Sequence, residues 1–121
     1  MSKKPKNGTI STRVDIKKSN FAKVPNPDKK AKELLKQRKV RFTRHAAERM
    51  YERNVILAEV LQAILKGRHK PKGDRFNETN RSWAYSIEGH TIDSRLLRIG
   101  ISFGYDHLSN ELLLIITVID L

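Results

Sequence analysis

Leu97-Arg98-Ile99-Gly100-Ile101-Ser102-Phe103-Gly104-Tyr105 is the stretch that decides the fold. Every second residue from Leu97 is branched or aromatic, and those between are small or charged. A period of two belongs to a strand with one face on a core. Working outward, Ser82 to Ile87 repeats it, with Trp83, Tyr85 and Ile87 set against Ser82, Ala84 and Ser86. Leu112 to Ile119 is apolar on both faces except at Thr117, as a central strand is. Asp106 to Asn110 reads as the hairpin loop between the last two strands, and Glu88-Gly89-His90 as a turn. Ser82, Ala84, Ser86, Gly100, Ser102 and Gly104 therefore leave one side of two strands nearly bare. Alternate glycines mark a bend or the close approach of a backbone or ligand; a helix packed tightly on that side is the other expectation.

Upstream the period becomes helical. Asn26-Pro27-Asp28 supplies a cap, a proline at the first helical position and an acid in the first turn, so a helix is expected over Pro27 to Arg38 with Ala31, Leu34 and Leu35 inward. Val40 to Phe42 reads as a short extended lead-in. Thr43 caps a helix of about 44 to 53, and Asn54 tolerates the left-handed conformation that ends it. A further helix, Leu57 to Lys66, is expected to bury Leu57, Val60, Leu61, Ile64 and Leu65 before Gly67 stops it. Arg68 to Asp74 is a basic loop broken by Pro71 and Gly73, either solvated or facing a phosphate backbone.

The helix after Thr43 carries the chemistry. At 100° per residue, His45, Glu48, Arg49, Glu52 and Arg53 fall on one side, and Ala46, Ala47, Met50 and Tyr51 on the other. An imidazole exchanges protons near neutral pH, and a guanidinium grips a phosphate through two parallel hydrogen bonds. Such a set is equipment for cleaving an RNA phosphodiester. From the spacing alone a plain solvated face, with Arg44 paired to Glu48, is the commoner reading of such a pattern.

Thr43-x-His45-Ala46-x-x-Arg49-Met50-x-x-Arg53, followed by an apolar helix and strands ending in Thr117-Val118, resembles a family of small bacterial domains of unassigned function. That family is similar in fold to the RelE/ParE and colicin-type ribonuclease toxins, the BECR fold. The resemblance covers residues 40 to 121 and departs from the family at Ile56, where a Ser or Thr cap is usual. It implies an α+β fold with N-terminal helices packed on a curved antiparallel β-sheet of three to four strands. It also implies a metal-independent, toxin-type ribonuclease in which the ribose 2′-hydroxyl attacks phosphorus, inhibiting translation or acting on a host. His45 is then the base or acid, Arg49 stabilises the phosphorane, and Thr117 orients a phosphate oxygen. Arg53 and Arg98 hold neighbouring phosphate, and Tyr85 or Tyr105 is a second proton donor. An acidic antitoxin or immunity protein is the expected neutralising partner, with RNA as substrate. A non-catalytic module that binds nucleic acid or protein through its basic tail is the alternative from another class.

The chain has 121 residues, net charge +12 and no cysteine. Thiolate metal sites, thiol nucleophiles and disulfides are thereby excluded. Residues 1–39 hold 13 Lys and Arg against three acids, a net +10, while residues 40–121 hold 12 against ten, a net +2. Most basicity belongs to residues 1–25 and their neighbourhood, read as a flexible tail before a single domain over 26–121, with Val14-Asp15-Ile16 as a possible edge strand. His45, His69, His90 and His107 lack metal-ligand spacing, and no phosphate loop or dinucleotide fingerprint occurs, so no cofactor and no metal are expected. Trp83 and Tyr85 are core residues or stacking platforms for a base. Lys-rich residues 3–6 lead into Asn7-Gly8-Thr9 rather than an apolar run, so neither signal peptide nor membrane role is expected. The expected address is the cytoplasm, its own or that of a target cell.

Overall fold

The computed structural model describes residues 22–121, and most of the expected tail, with Val14-Asp15-Ile16, lies outside them. Helix α1 (Pro27–Lys36) starts where its Asn-Pro-Asp signal stands and buries Ala31 and Leu34, with Leu35 half-buried. It stops two residues before the expected end because Arg38 turns left-handed, at φ 60°, and the Lys39 N–H returns to the Leu34 carbonyl at 2.9 Å. Strand β1 (Val40–Phe42) follows, then α2 (Arg44–Glu52) and α3 (Leu57–Lys66). The Thr43 hydroxyl accepts the Ala46 N–H at 3.1 Å, and Asn54 ends the helix region at φ 55°, both as expected. At Ile56, which has no polar side chain, the Glu59 carboxylate reaches back to accept the Ile56 N–H at 3.0 Å.

The strands are β2 (Arg68–His69), β3 (Arg75–Asn77), β4 (Ser82–His90), β5 (Leu96–Tyr105) and β6 (Glu111–Asp120). They form a six-stranded open sheet in the order β1-β6-β5-β4-β2, with β3 beside β4 as well. The fold is α+β with the helices N-terminal to the long strands. Three long strands are those the alternation marks. The sheet gains three short members of two or three residues, and β1 runs parallel to β6, so the pairing is mixed rather than wholly antiparallel. Two or three residues are too few to carry a period.

Expected turn residues 88–90 instead extend β4. Glu88 pairs with Arg98 across the sheet, and Gly89 lies where a side chain would run into the Ala63 carbonyl of α3. The turn falls after Thr91, with Ser94 at φ 63°. Val60, Ala63 and Ile64 bury α3 against Ile87, Ile99 and Ile101. Leu57 and Leu65, expected inside, are exposed, and Leu61 is half-buried, because the buried stripe is narrower than the apolar one.

Helix α2 takes over the sheet edge where β1 stops. The Thr43 N–H donates to the Ile115 carbonyl at 2.9 Å. At the other end Arg95 donates to the carbonyls of Arg53 at 2.6 Å and Asn54 at 2.9 Å, and to the Asp120 carboxylate at 2.8 Å. A nine-residue helix spans about 13 Å, close to the length of the strand residues 116–120 it lies along. Among the described residues no helix is long and apolar enough to cross a membrane.

Candidate functional site

Residues directly opposite on neighbouring strands share a face. Arg68, Glu88 and Arg98 stand in one such row across β2, β4 and β5, and Ser86, Gly100 and Thr117 in the next. The Lys70 N–H donates to the Ser86 carbonyl at 2.8 Å, which brings the Pro71–Gly73 turn against Ser86. A trough of about 730 Å³ results, floored by Ala84, Ser86, Gly100 and Thr117 and walled by Lys70, Lys72, Arg75 and Arg98. Of the two expectations for the small-residue face, no described α-helix packs there; the backbone of the Pro71–Gly73 turn approaches Ser86, and the rest of the face is open.

The floor is shaped by close fit. A Cβ on Gly100 would stand 2.7 Å from the Thr117 Cγ2, so glycine is what lets Thr117 lie across the strand. Pairing shifts register beside it: Gly100 faces Thr117 and Ile101 faces Ile115, leaving Ile116 as an extra residue. Such a bulge bends the strand and re-aims its side chains. The Thr43 hydroxyl donates to the Ile116 carbonyl at 3.2 Å, so the start of α2 is fastened to a residue that lines the trough.

Four cationic side chains line the trough against one carboxylate, Glu88. The Arg98 Nε donates to Glu88 Oε2 at 2.9 Å. Behind the wall, Asp74 is 3% exposed and meets His69 Nε2 at 2.8 Å and Lys23 Nζ at 3.2 Å, which pins the end of the Pro71–Gly73 turn to the N-terminal segment.

The structure brings Arg98 and Thr117 together in this trough. Tyr85 borders it between Ala84 and Ser86, but the residue is 2% exposed, with its ring against Phe103 and His69 and its hydroxyl accepting the Val24 N–H at 2.8 Å. Burial pushes that hydroxyl above the usual tyrosine range, opposed by the Val24 bond, so it holds its proton. His45 is exposed at the second position of α2 and does not line the trough. Arg49 is bonded to Glu52 at 2.6 Å, Arg53 stands 4.0 Å from the same carboxylate, and Arg44 pairs with Glu48 at 3.4 Å. Tyr105 is 70% exposed at the far end of β5. Sequence reading did not single out Glu88. Its signal was available, since the alternation that sets Ala84 and Ser86 on the small face puts Glu88 on it two residues later.

Helices before an open mixed sheet, with a trough lined by four cationic residues on the uncovered face, define a small α+β domain. The chain belongs to the DUF4258 family, described as a domain of unknown function, which matches residues 42–120. No curated protein and no solved structure matches it.

Proposed function

We propose that this protein is a metal-independent, toxin-type ribonuclease that seats RNA phosphates in the open-face trough. The carrying observation is the meeting of four cationic residues with Thr117 and Ser86 around one open concavity. Fixed cations and hydroxyl donors are what a developing phosphorane requires. The resemblance to RelE/ParE-like toxins supplies the reaction class and the role of His45 as its proton carrier; His45 follows two residues after Thr43, whose hydroxyl bonds the Ile116 carbonyl. In the step, the 2′-oxygen bonds to phosphorus and its proton passes to the His45 ring. The bond to the 5′-oxygen breaks, and the ring returns the proton to that departing oxygen, leaving a 2′,3′-cyclic phosphate and a 5′-hydroxyl. Arg98 and Thr117 hold the phosphate oxygens, and Arg49 and Arg53 exchange Glu52 for the neighbouring phosphate. An acidic protein laid over the trough is the matching inhibitor.

A second reading, a binding module without catalysis, is favoured by one observation: His45 is not among the residues lining the trough. Incubation of RNA in EDTA with wild type, His45→Ala and Arg98→Ala separates the two. Cleavage by wild type that is lost in His45→Ala with RNA binding kept supports the enzyme. Binding without cleavage in wild type supports the module and removes the catalytic assignment.

A further inference from the structure

Glu88 is out of place in a trough built for anions. Its side chain is 18% exposed, and among the described residues its partner is the Arg98 Nε, on Oε2 alone. A carboxylate facing a polyanion repels it, so its presence calls for a donor on the ligand beside the phosphate. Carboxylate oxygens only accept. Arg98 is bound through Nε, and the Nη groups of a guanidinium remain as donors for a phosphate. The pair thus presents, side by side, an acceptor for a hydroxyl and a clamp for the adjacent phosphate. In a ribonucleotide the 2′-hydroxyl stands next to the 3′-phosphate, and deoxyribose lacks it.

We propose that the Glu88–Arg98 pair is a ribose reader: Glu88 Oε1 accepts the 2′-hydroxyl while Arg98 holds the phosphate 3′ to it, which makes the trough selective for RNA over DNA. This rests on the reading of the trough as a nucleic-acid site but not on cleavage. Two opposed effects give it a distinctive signature. Removing the carboxylate deletes both the hydroxyl contact and the repulsion of phosphate, so affinity for DNA rises while the preference for RNA disappears.

The test is fluorescence anisotropy in EDTA with matched short oligouridine, oligodeoxyuridine and 2′-O-methyl oligouridine, on a His45→Ala background that keeps the RNA whole. The parent protein is expected to bind oligouridine about tenfold more tightly than either analogue, the worth of one hydrogen bond to a charged group. The 2′-O-methyl strand keeps the ribose but has lost the donor. With Glu88→Ala added, the three affinities are expected to converge, with the DNA affinity higher than in the parent. Glu88→Gln, which keeps the size and a neutral acceptor, is expected to lower the preference several-fold, and it serves if the alanine variant fails to fold. Binding of all polymers with no RNA preference in the parent, or a preference unchanged by either substitution, overturns the ribose reader and leaves the trough as a nucleic-acid site. Absence of binding to every polymer overturns both.

Discussion

Thr43 holds two positions at once: its hydroxyl accepts the Ala46 N–H to cap α2 and donates to the Ile116 carbonyl at the bulge of β6. Thr43→Ala is expected to cost about 1 to 2 kcal/mol in urea unfolding, and Thr43→Ser to recover most of it. Arg95 is the corresponding fastening at the other end of α2. Hydrogen bonding to Asp120 holds its guanidinium above the usual range. Arg95→Met leaves the Arg53 and Asn54 carbonyls without this donor, and a loss of about 1 to 3 kcal/mol is expected by the same measurement. In the β5–β6 loop the Asn110 N–H, and after it the Leu108 N–H, lower the Asp106 carboxyl below its usual range. A depressed carboxylate stabilises the fold above its unfolded pKa, and this contribution is lost as pH falls through the folded value. Thermal melts are expected to show that Asp106→Asn is less stable than wild type at pH 7, with the gap closing as acid protonates the carboxylate through its lowered range.

Among the elements, β5 was the most legible, because Leu97, Ile99 and Ile101 alternate with Arg98, Gly100 and Ser102 over a length sufficient for the period to show. Helix α3 keeps the expected bounds, yet Leu57 and Leu65 are exposed: hydrophobicity marks what can be buried, and the sheet covers only part of that stripe. β2 lies within the stretch that reads as a basic loop and β3 in one that carries no strand pattern, because Arg68, His69, Arg75 and Asn77 have no strand composition; pairing along the edge of β4 makes them strands. The trough's floor is visible in the sequence as a run of small residues and Lys70 and Lys72 as a basic loop, but not that they meet Arg75 and Arg98, since only the edge pairing brings them together. Gly100→Ala tests the floor. Contact with Thr117 is expected to destabilise the protein by about 1 to 3 kcal/mol and to weaken RNA binding, read from a melt and an anisotropy titration.

At the scale of the whole molecule, charge is divided between a lysine-rich N-terminal third and a nearly balanced remainder, four of whose twelve cations line the trough on the open sheet face. For single strands each phosphate contact contributes about 0.7 to the slope of log affinity against log salt. Lys72→Ala with Arg75→Ala is therefore expected to lower the slope by about 1.4. RNA is expected to lie across the sheet face opposite the helices. Titration of a short oligouridine into the isotope-labelled His45→Ala chain, followed by amide chemical shifts, tests it most directly. Saturable shifts are expected at Ser86, Gly100 and Thr117 and at the Lys70–Gly73 turn; shifts confined to the helical face, around Ala31, Val60 and Ile64, would put RNA on the wrong side of the sheet and overturn the proposal.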